Sequence, residues 1–268
     1  MEKTIVERDI VNAKGILFAA KGIAVNQHRL EDLLSRGVIT FKDYIECNPT
    51  ATETDRAKAF ISYSVGKTIP CAPDAVKTEV ADILNQVADE NDVTKIVGCL
   101  GRRSLWSYEH SMRVAIIASA IGKSMNFTEK EMLSVAEGSI IHDVGKIFFV
   151  NIIEKHGRLT QEEYKIIKEH TKAGYRFLKG AGFRENVAEI ALLHHERRNG
   201  SGYWGISDIP RTVEVVGIAD SIDAMRAPRP YKSEIDINKV IGRLTEEYRR
   251  NNAYDLSMLI EARKLMVS

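Results

Sequence analysis

The chain has 268 residues, 44% apolar and 28% charged, with a formal net charge of +1 at pH 7. That composition reads as globular, one large domain or a medium domain with a small attachment, and its near-neutral charge argues against a duplex nucleic-acid partner. Cys47, Cys71 and Cys99 lie far apart and odd in number, which excludes a disulfide framework or zinc knuckle and predicts a reducing cytoplasm. The charged start MEKTIVERDI has no apolar signal core, and no apolar run is long enough to span a bilayer, so no membrane association is expected.

Residues 1–47 predict a small α+β domain. Short β-prone runs, Thr4–Val6, Gly15–Phe18 and Val38–Ile45, alternate with Gly15, Gly22 and Gly37. One helix is expected over Gln27–Ser35, with Leu30, Leu33 and Leu34 on one face. His28 has no ligand partner nearby, so this unit reads as structural or interactive. Residues 48–95 predict a linker and a connecting helix. Asn48–Asp55 is polar and contains Pro49, Pro70 and Pro73 punctuate the chain, and Asp74 is the expected N-cap of a helix striped by Val76, Val80, Ile83 and Val87. Residues 96–268 carry helical periodicity to the end, so the fold class is mainly α, a helical bundle. Ile235–Arg250 and Ala253–Met266 read as amphipathic packing helices that either complete the core or close a homodimer interface.

Within the last region one stretch dominates, Ser139–Ile140–Ile141–His142–Asp143–Val144–Gly145–Lys146. An apolar helix end runs straight into a histidine, an aspartate and a lysine. The His142 imidazole and the Asp143 carboxylate can both ligate a metal, and the two carboxylate oxygens can bridge two ions. Gly145 is expected to let the chain leave the helix, and Lys146 brings a positive charge to the same mouth.

Other helices supply candidate ligands. On Leu105–Ser124, His110 shares a face with Val114, Ile117 and Ile121. On Glu131–Asp143, the stripe Met132, Val135, Ser139 leads to His142 and Asp143. His170 lies on the side of Ile166 and Ile167 in Glu162–His170. His194 and His195 follow Val187, Ile190 and Ala191 on Arg184–His195. Asp220 sits in the apolar helix Val213–Ala227, with Asp223 three residues on. Buried histidines and aspartates are costly unless paired or metal-bound. A single inward histidine would read as a satisfied core residue, but five with two aspartates on successive apolar faces read as a metal centre. The nitrogen-rich, thiolate-free set suits two iron, manganese or zinc ions and suits magnesium or calcium poorly.

Two further clusters flank it. In His194–Gly205, three glycines and two aromatics follow the histidine pair; Gly200 and Gly202 allow tight turns, and Tyr203 offers a stacking face with a polar tip. After Asp220, the cations Arg226, Arg229 and Lys232 are positioned to hold a phosphodiester, or else form a solvated basic turn.

The order YEHSMRV (108–114), HDVGK (142–146), Glu169–His170, HHE…GxGY and ADSIDAMRAPRPYK (219–232) resembles the HD-GYP subgroup of HD-domain phosphohydrolases over about residues 96–268. The resemblance implies an HD-type helical bundle and an iron- or manganese-dependent bacterial phosphodiesterase that hydrolyses cyclic di-GMP to pGpG or GMP in signalling. It implies the metal ligands His110, His142, Asp143, His170, His194, His195 and Asp220, with Asp143 bridging two ions. It implies Asp143 and Lys146 as catalytic residues, and Lys146, Tyr203, Arg229 and Lys232 as substrate contacts. Diguanylate-cyclase-type signalling domains and a second copy of the chain are the partners it suggests.

The signature departs from that family. DGxGYP reads Asn199–Gly–Ser–Gly–Tyr203–Trp204, and Gly205–Pro210 is shorter than usual. Trp204 therefore either reshapes the base pocket beside Tyr203 or packs against the helix after Pro210. Trp106 stands where some members carry a third-metal glutamate, so two ions are expected. The rival readings are the same hydrolysis on another cyclic dinucleotide or nucleotide, and a non-catalytic module that binds a cyclic dinucleotide or a partner.

Overall fold

The computed structural model describes residues 3–5, 10–11, 17–19, 21, 24–36, 39–47, 51–149, 152, 159–226 and 235–267. Two short strand pairs open the chain: β1 (Lys3–Ile5) runs antiparallel to β4 (Ala24–Asn26), and β2 (Ile10–Val11) to β3 (Leu17–Ala19). Thr4 faces Val25 in the first pair. Helix α1 (Gln27–Ser35) follows β4 directly and buries Leu30, Leu33 and Leu34.

The β-prone run Val38–Ile45 turns instead into helix α2 (Phe41–Cys47). Local capping overrides strand propensity there. The Thr40 amide donates to Asp43 Oδ2 at 2.9 Å and the Asp43 amide returns a bond to Thr40 Oγ1 at 3.2 Å, a reciprocal helix start. Packing completes it, because the Phe41 ring stacks on Tyr108 at 5.6 Å and meets Phe60 edge-on at 4.8 Å. The apolar residues of α1 and α2 thus join the same core as the later helices.

Helix α3 (Glu53–Thr68) begins inside the stretch expected as linker, because Thr52 and Asp55 form a capping box. Helix α4 (Asp74–Ala88) has Pro73 at its N-cap; Asp74 is the first helical residue and makes no capping bond, which corrects the expected cap. Then follow α5 (Asn91–Arg103), α6 (Leu105–Ser124) and α7 (Glu129–Ile141), with a 3-10 helix over Val144–Phe149. The chain continues through α8 (Gln161–Lys168), α9 (His170–Gly180), α10 (Glu185–Leu193) and α11 (Arg211–Arg226). It closes with α12 (Ile237–Asn251) and α13 (Leu256–Met266).

Helix α6 is the axis. It touches α3, α4, α5, α7, α11 and α13, and Met112 through Ile121 are buried except Arg113. A helix apolar all round belongs in the middle of a bundle, so the predicted stripe understated it. Among the described residues no helix is long and apolar enough to cross a membrane.

Candidate metal centre

The candidate ligands come from helix ends more than helix faces. The helix expected over Glu131–Asp143 stops at Ile141, so His142 is its C-cap and Asp143 lies in the turn beyond. The expected helix Glu162–His170 breaks at Glu169, and His170 opens α9. Helix α10 stops at Leu193, with His194 as its cap. Consecutive side chains within a helix diverge by about 100°. Past a helix end they can converge, which is what His142–Asp143 and His194–His195 require. Gly145 does more than release the helix, and its backbone is not left-handed. A Cβ on it would lie 1.9 Å from the His170 carbonyl oxygen and 2.6 Å from the Gly174 nitrogen, so only glycine lets the 3-10 helix lie on α9.

All seven predicted ligands meet in one buried cluster. Asp143 Oδ1 lies 3.3 Å from His170 Nε2 and 3.7 Å from His194 Nε2. Its Oδ2 lies 3.3 Å from His142 Nε2 and 3.8 Å from His110 Nε2. Potential ligand atoms thus fall into two groups sharing Asp143: one with His170, His194 and His195, the other with His110 and His142, each within 4.8 Å. Asp220 belongs to neither group by that measure, yet it spans both: Oδ1 is 3.1 Å from His110 Nε2 and Oδ2 is 3.6 Å from His195 Nδ1.

The outer ring nitrogens fix the inner ones. His142 Nδ1 donates to Ser139 O at 2.7 Å, His170 Nδ1 to Ile167 O at 2.5 Å, and His194 Nδ1 to Ile190 O at 3.1 Å. A carbonyl only accepts, so the proton is on Nδ1 and the Nε2 lone pair faces inward. His110 uses a carboxylate instead, with Asp223 Oδ2 at 2.8 Å from its Nδ1, while Arg113 Nε holds Asp223 Oδ1 at 2.7 Å. Trp106 stacks on the His110 ring at 5.0 Å and 7°, so the indole braces that imidazole.

The electrostatics favour a cation. Burial would raise the Asp143 carboxyl, but chiefly the Lys146 ammonium holds it well below the usual carboxylate range. Burial would lower His110, yet bonds to Asp220 and Asp223 raise it to about 9. Burial, aided by neighbouring rings, depresses His194, and burial takes His195 down to about 3. His142 Nε2 and Asp143 Oδ1 are buried acceptors with no hydrogen-bond partner among the described residues. Acceptors facing acceptors in a dry, nitrogen- and oxygen-lined pocket are stable around a metal ion. The donor set therefore fits metal binding.

The HD domain family matches residues 107–225. These residues are an HD domain. A cyclic di-GMP phosphodiesterase of Thermotoga maritima is 36% identical over 161 residues, covering 58% of this chain and 40% of that protein. A 3'3'-cGAMP-specific phosphodiesterase of Vibrio cholerae is 27% identical over 158 residues, covering 58% of this chain and 34% of that protein. The chain thus spans well under half the length of these curated relatives. The solved structure of an HDG"Y"P protein from Bdellovibrio bacteriovorus matches with a TM-score of 0.56 over 97% of this chain and 94% of the other, at 15% identity, which shows a shared helical fold.

At the mouth of the HD domain, Lys146 is ion-paired with Asp143 Oδ2. Tyr203 leans over His195 with ring centroids 4.3 Å apart. Arg229 and Lys232 lie outside the described residues. Sequence reasoning missed Tyr164, 47% exposed, which meets Tyr203 edge-on at 6.0 Å, and Lys168, whose Nζ lies 5.0 and 4.9 Å from those two rings. Their spacing by four on α8 is the signal that could have found them.

Trp204 meets α9. Its indole N–H donates to Thr171 Oγ1 at 3.0 Å and Lys172 Nζ sits 3.2 Å over its ring, so it docks on α9. The loop is anchored by another missed residue, Glu196. It is buried, and accepts from the Trp204 amide at Oε1 and the Ile206 amide at Oε2, each at 2.9 Å. Gly202 permits the crossing, since a Cβ there would be 2.4 Å from the Glu196 Cα. Asn199 donates through Nδ2 to Asn251 O at 2.9 Å, a bond that the family's aspartate could not make.

Proposed function

We propose that this HD domain is a metal-dependent phosphodiesterase that opens a cyclic dinucleotide in bacterial second-messenger signalling. Cyclic di-GMP is the substrate assigned here, with pGpG or GMP as product. The observation that carries the reading is the Asp143 carboxylate, whose two oxygens face separate histidine groups while Lys146 stands beside it. His110, His142, Asp143, His170, His194, His195 and Asp220 would hold two transition-metal ions, iron or manganese. Bound there, the ions would supply Lewis acidity towards phosphoryl oxygens and lower the pKa of water.

The chain's own residues do the rest. The Nδ1 bonds to backbone carbonyls and Asp223 keep the imidazoles oriented, so little reorganisation is needed on binding. Lys146 offers its ammonium to a non-bridging phosphoryl oxygen. Arg229 and Lys232 are assigned to substrate phosphate. Tyr203 and Tyr164 form an aromatic corner on which a base can stack, a contact worth about 1–3 kcal/mol per base. The described cysteines Cys71 and Cys99 are free thiols, in keeping with action in the cytoplasm. A second copy of the chain and cyclase-type signalling domains are the partners in this reading.

A mixed guanine–adenine substrate is the second reading, favoured by the Vibrio cholerae relative. Both are tested with anaerobically prepared protein loaded with iron or manganese and assayed on each cyclic dinucleotide. Asp143→Ala should lose both metal and hydrolysis, whereas Lys146→Ala should keep its metal and lose turnover. Wild-type protein that binds cyclic di-GMP in both metal forms but never cleaves it would establish a binding module instead.

A further inference from the structure

The aromatic corner at the mouth of the metal centre carries a cation that the phosphate contacts leave unused. Tyr164 and Lys168 are one turn apart on α8, and Tyr203 closes the corner from the loop after α10. Lys168 Nζ lies 5.0 Å from the Tyr164 ring centroid and 4.9 Å from that of Tyr203, within cation–π range of both. Tyr164 is 47% exposed, and Tyr203 and Lys168 are half-buried, so solvent reaches all three. The corner abuts the ligand cluster, because the Tyr203 centroid is 4.3 Å from that of His195 and 6.4 Å from that of His170.

Lys168 differs from two other lysines of this mouth. Lys146 is ion-paired with Asp143, and Lys172 Nζ lies 3.4 Å from Glu169 while covering the Trp204 ring. Lys168 has no carboxylate partner among the described residues, so its N–H donors are open to a ligand. A base stacked on either tyrosine brings its edge, and not its phosphate, beside that ammonium. An ammonium only donates, so it tells purines apart by their acceptors. Guanine offers O6 and N7 on its Hoogsteen edge, whereas adenine offers N7 beside a 6-amino group that is itself a donor. Stacking alone cannot make that choice, since every base has a π-face.

We propose that Lys168 is a specificity-determining residue that selects guanine over adenine, its ammonium donating to O6 and N7 of a base stacked on the Tyr164–Tyr203 corner. The assignment rests on the cyclic-dinucleotide reading and applies to the guanine of either substrate, cyclic di-GMP or the mixed dinucleotide.

The test uses the full chain loaded with manganese and the probes GMP, IMP and AMP, which have no phosphodiester bond to cleave, so binding is read apart from turnover. IMP keeps O6 and N7 and lacks the 2-amino group of guanine. Ligand-observed NMR titration should give similar Kd values for GMP and IMP, and binding of AMP about tenfold weaker. Lys168→Met should erase that ratio by weakening GMP and IMP while AMP stays within about twofold. Lys168→Arg should keep the ratio, because a guanidinium also donates to O6 and N7. Tyr164→Ala should weaken all three nucleotides alike, as expected of a stacking face. IMP that binds like AMP would overturn the assignment, since the 2-amino group would then carry the choice. An equal loss for all three nucleotides in Lys168→Met would also overturn it, making the lysine a phosphate contact, and so would wild-type protein that binds none of them. If the predicted ratios hold while no cyclic dinucleotide is cleaved, the phosphodiesterase reading fails and the role of Lys168 stands.

Discussion

The His142–Asp143 end of α7 and the His194–His195 end of α10 each aim two candidate ligands at the centre from just past the last helical turn, yet the chain leaves them differently. After Asp143 the backbone itself is the lock, with Gly145 pressed on the first turn of α9. After His195 the lock is one buried side chain, Glu196, which gathers amides from 8 and 10 residues further on. The first exit depends on an atom being absent and tolerates no substitution. The second depends on one carboxylate being present and, Gly202 apart, leaves the intervening loop free to change. That is where the loop departs from the HD-GYP signature it resembles, at Asn199 and Trp204.

The contrast is sharpest at Gly145. Gly145→Ala should push α9 and His170 away from Asp143, costing about 3 kcal/mol by overpacking. Urea unfolding and metal analysis should both report the loss. Glu196→Ala should cost about 2 kcal/mol by orphaning two amides. It should leave metal content unchanged and shift the fluorescence of Trp204; loss of metal would mean that the loop helps hold the centre. Asn199→Asp, though it restores the family residue, should cost about 1 kcal/mol, because a carboxylate cannot donate to Asn251 O. An unchanged urea midpoint would show that this bond contributes nothing.

The smallest effect lies at the far end of α7. Glu131 in its first turn is pulled from 4.5 down to about 2, chiefly by its bonds to Arg211 of α11. A depressed carboxyl stabilises the fold above its unfolded pKa, and that contribution is lost as pH falls from 4.5 towards about 2. Arg211→Ala should flatten the acid limb of stability in that window and change nothing at pH 7 beyond the loss of a half-exposed ion pair. Urea midpoints across the window decide it.

The cluster of seven candidate ligands was legible because imidazoles and carboxylates on apolar faces are conspicuous. Their bracing was less so. Asp223 stood out only as a neighbour of Asp220; its bond to His110 crosses 113 residues of sequence. Glu196 could have been found, since a carboxylate directly after an inward histidine pair is itself a candidate for burial. Val38–Ile45 misled because its β-branched residues outweighed Thr40 and Asp43 in a propensity reading, whereas those two decide the outcome by capping. Helix ends were the common blind spot, since periodicity continues through His142–Asp143 and through Glu169 where the backbone does not.

The Thr-x-x-Asp/Glu boxes at Thr52, Thr128 and Thr160 bear on how the molecule assembles in time. Each sets a helix start within four residues, using bonds that form without distant chain. The contact of α11 with α6, which brings Asp220 and Asp223 to His110, must wait for a closure of more than a hundred residues. Secondary structure is therefore laid down by residues outside the polar cluster, and the cluster is buried late. Substitutions among its candidate ligands then act mainly on the unfolding rate, so evolution can retune the chemistry without slowing the birth of the fold.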